Sequence, residues 1–251
     1  MIQNCAIYGS DGVLLDLEDS ISVTEKDAAR KLVKHALKTL DFGSVERVVR
    51  INGRDTPFFE RDLGEIIPAR PDAVRIPKID SPDDVRAADD IITRLEEENG
   101  MERGSVRIHA MLETARAIVN ASAIAMSSPR ILGLTIGGQD LAADLGIKIT
   151  REGLEMLYEG LREQAAMSVA LGFSGKAAIH PSQIAVIHEA FRPEEKDVRK
   201  AERIVRGARE AEERGLGVVA VDGRMVDAPV VAQAQRTLEL ARLAGMEVEA
   251  E

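Results

Sequence analysis

The chain is poor in cysteine, in aromatic residues and in positive charge, and each shortage closes off a class of protein. One cysteine, Cys5, among 251 residues excludes an internal disulfide and makes the cytoplasm the expected compartment. Aromatic residues make up 3 % and Trp is absent, so the core must be built from Leu, Ile, Val, Ala and Met. The formal net charge of −10 argues against nucleic acid or an anionic membrane as partner, since both select basic surfaces. No apolar run reaches the ~20 residues of a membrane span, and the first residues lack the basic and apolar blocks of a secretory signal. Neither GxGxxG nor GxxxxGK[ST] occurs, no Cys/His spacing suits zinc, and no GxSxG elbow is present. Low-complexity tracts and long linkers are also missing.

What is present is a run of strand-like segments separated by helical ones. At 45 % apolar, 251 residues suffice for one large α/β barrel or two smaller domains. The organising stretch is Ile131–Leu141, ILGLTIGGQDL: a buried-strand pattern that breaks at Gly137-Gly138 and presents Asp140. VRIHAMLET repeats the plan one unit earlier and ends in Glu113. Carboxylates at the carboxyl ends of adjacent parallel strands stand where such folds place their chemistry, and two of them can converge on one cation. VLLDLEDS delivers Glu18 and Asp19, VERVVRIN ends in Arg50 and Asn52, AVRIPKI leads to Lys78, and GKAAIHPSQI carries Lys176 and His180. That makes six strand-like units before residue 185. Ser81 and Pro82 open a helix that stops at Gly100, 151–172 reads as helix, and 193–214 is a charged helix with apolar Val198, Ile204 and Val205. GLGVVAVDGRMVDAPVV reads as a hairpin or loop with Asp222 and Asp227, before a last helix over roughly 229–244. Strands alternating with helices argue for a mainly parallel sheet with crossover helices.

Seven stretches in order, VLLDLEDSI, VVRING, VRIPKID, MLETARA, IGGQDLA, GKAAIHPSQI and DGRMVDAPV, resemble the citrate lyase beta subunit family, within a wider group that includes malyl-coenzyme A lyases. The resemblance implies an α/β fold, a (β/α)8 TIM barrel over 1–190 with a C-terminal helical extension over 191–251, in trimers or hexamers. It implies Mg²⁺-dependent cleavage of a carbon–carbon bond in a citryl thioester, giving oxaloacetate and an acetyl thioester. The thiol belongs to coenzyme A or to an acyl carrier subunit, and acyl carrier and transferase subunits are the partners implied. Relatives carry a further arginine-bearing strand before the DLEDS unit and a further segment between Tyr158 and Glu159. Six strands cannot close an eight-stranded barrel of standard shear. Malyl- or citramalyl-coenzyme A cleavage, or a non-catalytic assembly role, are the alternatives.

On the matched positions, Glu113 and Asp140 are the expected Mg²⁺ ligands, because this ion takes one or two carboxylates and completes its octahedron with water and substrate oxygens. Glu113 also faces substrate in this reading. Glu18 and Asp19 are expected to hold metal-bound waters; otherwise they are a solvated helix-initiating pair. Arg50 is a clamp for a substrate carboxylate or a structural ion pair. Lys78 binds an anion or sits on the rim. Gly137 and Gly138 admit the ligand to the backbone, or simply make a turn. Asp227 matches an aspartate supplied by a neighbouring subunit as general acid/base, against a turn-forming role. His180 is expected in a structural hydrogen bond, Asp222 in a turn, and Cys5 outside the chemistry.

Overall fold

The computed structural model describes residues 2–146, 160–213, 219–221 and 224–248. The chain divides into two units, Met1–Gly153 and Leu154–Glu251, each with its own core. In the first unit a 3-10 turn (Ile2–Tyr8) precedes a strict alternation: β1 (Gly12–Asp16), α1 (Lys26–Thr39), β2 (Glu46–Arg50), α2 (Phe59–Ile66), β3 (Ala73–Ile76), α3 (Pro82–Glu98), β4 (Arg107–Leu112), short helices α4 (Ala115–Val119) and α5 (Ala121–Ala125), β5 (Ile131–Ile136) and α6 (Gly138–Asp144). The sheet is parallel throughout, in the order β1-β2-β3-β4-β5. Each strand pairs with its neighbour in sequence, which is how successive βα units of a barrel are laid down. Among the described residues β1 and β5 are the edges, and the sheet is not closed into a barrel.

Alternation along the strands separates two faces. Val13, Leu15, Val49, Val74, Ile76, Ile108, Ala110 and Leu112 turn outward and pack on Val33 and Leu37 of α1, Leu63 and Ile66 of α2, and Val85 and Ile92 of α3. Burying each large aliphatic contributes about 1.5–3 kcal/mol. The inner face carries Asp16, Arg50, Arg75 and His109, which lie opposite one another across β1 to β4. α3 opens as expected: Pro82 follows Ser81, whose backbone N–H donates to Asp84 Oδ2 at 2.9 Å, and Gly100 beyond its end has φ 61°. A buried ion network ties α3 to the start of β5. Arg130 donates to Glu96 Oε1 and Oε2 at 2.9 and 2.6 Å and to Asp89 Oδ1 at 2.5 Å. Its side chain is 3 % exposed and that of Glu96 0 %.

The second unit contains α7 (Leu161–Ala170), a 3-10 turn (Pro181–Gln183), α8 (Ile184–Phe191), α9 (Glu195–Glu213), an antiparallel hairpin of β6 (Val219–Val221) and β7 (Arg224–Val226), and α10 (Ala228–Leu243). Val198, Ile204 and Val205 of α9 form the stripe that packs on Ala234, Leu238 and Ala241 of α10. One expected strand is absent. The GKAAIHP stretch is irregular over 173–180, and Ile179 is 88 % exposed. Gly175 and a pair of alanines offer little to a pleated sheet, and among the described residues no strand pairs with it. The parallel sheet therefore has five strands among the described residues, not six. The first part of the helix expected over 151–172, with Tyr158 and Glu159, and Asp222 lie outside the described residues. No described helix is long and apolar enough to cross a membrane.

Candidate active site

The carboxyl ends of β1 to β5 carry the charged residues. Asp16, the last residue of β1, accepts from Arg50 Nε at 2.7 Å through Oδ1 and from Arg50 Nη2 at 2.6 Å through Oδ2. It also caps the turn that follows, accepting from the Glu18 and Ser20 backbone N–H groups at 3.0 and 3.3 Å. Burial alone would raise its pKa; the Arg50 hydrogen bonds and the turn donors override this and hold it at about 2. Arg50 Nη1 lies 2.9 Å from Glu18 Oε2, but not in hydrogen-bond alignment, so that buried oxygen has no hydrogen-bond partner in the structure. Burial pushes the Glu18 carboxyl up to about 7 against the lowering charge of Arg50, helped by the charges of Asp19 and Glu113. Beneath the turn, the buried Lys26 Nζ donates to the Leu17 and Glu18 carbonyls at 2.8 and 2.7 Å. Asn52 Nδ2 donates to the Leu17 carbonyl at 3.0 Å. These donors fix the main chain that aims Glu18.

Glu113 follows β4 and is 3 % exposed. Its Oε2 accepts the Lys78 backbone N–H at 2.8 Å. Lys78 reaches this position with a left-handed φ of 53°, an uncommon conformation for a residue with a side chain. Gly137, just after β5, lies directly against the same carboxylate. A Cβ there would stand 2.8 Å from Glu113 Cδ and closer still to Oε1. Gly138, by contrast, has open space where its Cβ would be. Asp140 follows in the first turn of α6. Burial raises the Glu113 pKa, the Lys78 N–H opposes this, and the charge of Asp140 adds to the rise. Glu113 thus senses the charge of Asp140, and Glu18 senses that of Glu113.

No group of three or more His, Cys, Asp or Glu residues suited to a metal occurs among the described residues. What converges is a smaller set of hard oxygens, one of them buried without a donor. That set fits Mg²⁺, which uses one or two carboxylates and leaves its other positions to water and substrate; it does not fit zinc. Arg50, Lys78, Gly137, Glu113, Asp140, Glu18 and Asp19 therefore gather around one end of the sheet. Asp227 belongs to the second unit, where its Oδ1 accepts the Val230 N–H at 3.3 Å and caps α10. His180 makes a local hydrogen bond, its Nδ1 lying 2.8 Å from Ser182 Oγ.

Sequence reasoning passed over Arg75 and His109 and gave Asp16 only a structural place. Asp16 sits inside an apolar strand and reads as structural; its role as the fork that receives Arg50 appears only with the β1–β2 register. Arg75 and His109 were open to detection as polar residues at alternate positions in the otherwise apolar strands AVRI and RIHAML.

A parallel β/α sheet laid down strand by strand, with carboxylates and cations collected at its carboxyl edge, is the arrangement found at the active face of TIM-barrel enzymes. Comparison with known proteins gives its chemistry. Residues 149–246 match a family model described as a C-C bond lyase of the TIM-barrel fold, and residues 1–160 match HpcH/HpaI aldolase/citrate lyase. The chain belongs to the HpcH/HpaI aldolase/citrate lyase family, a family of carbon–carbon lyases. It is 35 % identical to the citrate lyase subunit beta of Leuconostoc mesenteroides subsp. cremoris, over 96 % of this chain and 89 % of the relative. That alignment runs over 268 positions, more than the 251 residues here, so the relative has segments that this chain lacks. It is 32 % identical to an L-malyl-CoA/beta-methylmalyl-CoA lyase of Cereibacter sphaeroides, over 94 % and 88 % of the two chains. Among solved structures it resembles the protein CitE of Mycobacterium tuberculosis in complex with magnesium, acetoacetate and coenzyme A. There the TM-score is 0.70 and the identity 29 %, over 96 % and 94 % of the two chains.

Proposed function

We propose that this protein is a Mg²⁺-dependent lyase that cleaves a citryl thioester to oxaloacetate and an acetyl thioester. The observation that carries the reading is the buried Glu113 carboxylate, held by the Lys78 amide and by the space at Gly137 and within reach of the charge of Asp140, in a chain similar over most of its length to a citrate lyase subunit beta. Glu113 and Asp140 would hold the ion, and Glu18 and Asp19 would receive its waters. Bound there, Mg²⁺ supplies positive charge against the oxygen on which negative charge builds during cleavage.

The remaining chemistry falls to the chain. The hydroxyl proton of the citryl group leaves to a base, the carbon–carbon pair moves to the carbon beside the thioester carbonyl, and an acid returns a proton to that carbon. In this reading Asp227, from the 191–251 extension of a neighbouring copy, serves that carbon. Its exposed position at the head of α10 leaves it accessible. Arg50 and the Lys78 ammonium take substrate carboxylate, and the open space at Gly138 lets substrate approach the main chain. Residues 1–190 serve as the catalytic barrel. A trimer or hexamer in the cytoplasm, working with acyl carrier and transferase subunits, completes the proposal.

The test is release of oxaloacetate from citryl-coenzyme A with and without EDTA. EDTA should abolish turnover, and Asp140→Ala should lower it by about 10²-fold or more. Undiminished activity in either case refutes the assignment. Similarity to the malyl-CoA lyase supports a second reading, cleavage of malyl- or citramalyl-coenzyme A. A panel of the three thioesters ranked by kcat/KM separates the two.

A further inference from the structure

Arg50 is less available to substrate than its position suggests. Its Nε and Nη2 are taken by Asp16, and its Nη1 stands 2.9 Å from Glu18 Oε2. The residue registered beside it on β3 is Arg75, and the residue registered beside Arg75 on β4 is His109. Partners across a parallel pair point to the same face, so Arg75 projects onto the inner face in the same row as Asp16 and Arg50.

Arg75 has no carboxylate within ion-pair distance among the described residues. Its hydrogen bond is between Nη2 and His109 Nδ1, at 3.3 Å, and its buried Nε has no partner. His109 does not neutralise it. Burial, and then the charge of Arg75 itself, push the imidazole down to about 4, so it stays uncharged at neutral pH. Glu46, lower on the same face, acts on Arg75 only through its charge, and its carboxylate lies 3.8 Å from His109 Nε2 instead. Burial and the charge of Arg50 both depress the Arg75 pKa. A half-buried guanidinium next to a second cation and without an anion is costly. An anionic ligand relieves that cost, and the substrate class proposed above brings several carboxylates.

We infer that Arg75 is a specificity-determining residue: it binds a carboxylate of the substrate's oxaloacetate half beside Arg50 and selects dicarboxylate over monocarboxylate keto acids. The inference rests on the lyase reading given under Proposed function.

The experiment is calorimetric titration of the Mg²⁺-loaded full chain with oxaloacetate and with pyruvate, for the wild type, Arg75→Gln and Arg75→Lys. The wild type should prefer oxaloacetate. Arg75→Gln should weaken oxaloacetate by about tenfold or more, as expected for loss of a charge-assisted hydrogen bond, and leave pyruvate unchanged. Arg75→Lys should recover part of the preference, because it restores the charge without the fork. Wild-type oxaloacetate affinity in Arg75→Gln overturns the inference. So does loss of both ligands by the same factor, which is the signature of a merely structural residue. A wild type that binds no oxaloacetate and cleaves no citryl thioester overturns the lyase reading itself, and is told apart from the other two results by being seen before any substitution is made.

Discussion

Replacing Gly137 by alanine isolates the packing of one carboxylate from every other property of the site. The backbone does not require glycine there: φ is −86° and ψ 87°, with no positive φ to forbid a side chain. All the cost comes from contact. The new methyl group would stand 2.5 Å from Glu113 Cγ and 2.8 Å from Cδ, so the side chain must move by roughly 0.9 Å to regain ordinary van der Waals separation. Ligand and catalytic groups tolerate about 0.5 Å, and a misplacement near 1 Å costs on the order of 10²-fold in rate. Gly137→Ala should therefore weaken Mg²⁺ binding measured by calorimetry and lower kcat/KM by about 10- to 100-fold. Gly138→Ala is the matched control. It meets nothing within 4 Å and lies in a helix, where alanine is favoured over glycine by up to about 1 kcal/mol. Its Mg²⁺ affinity should equal that of the wild type. Gly137→Ala with unchanged ion affinity and turnover would refute the claim that this glycine makes room for Glu113.

Two further predictions concern stability. Asp16 has its pKa depressed in the folded state, from 3.8 to about 2. Its contribution is therefore fully present above pH ~4 and is lost as pH falls through the folded value, amounting to roughly 2 kcal/mol. Urea midpoints measured from pH 5 to pH 2 should fall more steeply for the wild type than for Asp16→Asn, and parallel curves would contradict the ion pair. Arg130→Met should destabilise the first unit by about 3–5 kcal/mol, because it strands Glu96 and Asp89 without a cation. Denaturant unfolding checks it, and Arg130→Met combined with Glu96→Leu should recover much of the loss.

The five strands β1 to β5 were legible because each is a short run rich in aliphatic residues, set between segments of helical spacing. VLLD and MLET also brought Asp16 and Glu113 to the carboxyl end of the sheet, and Asp140 follows GLTI in the next helix. The missing sixth strand shows the limit of that signal. Apolar content in GKAAIHP does not make a strand where no ladder is there to receive it. Glu113 and Asp140 were readable from position alone, since each ends or follows a strand. The engagement of Arg50 was not, because it depends on which residue of β1 lies opposite it, and register is set by three-dimensional pairing. The same is true of Arg75 and His109. They become neighbours only when β3 and β4 align. The contribution of Lys26 was hidden for another reason: its acceptors are main-chain carbonyls, which leave no trace in residue type.

That last point applies with more force at position 78. The group that orients Glu113 is the amide of Lys78, not its ammonium. Exchanging the side chain leaves the N–H where it is, and proline alone deletes it. The contact is thus shielded from almost every single-codon change, while its direction depends on the peptide holding a left-handed bend. Scored by folding stability, a saturation library at this site should sort variants by their tolerance of that bend, with glycine and asparagine at the top.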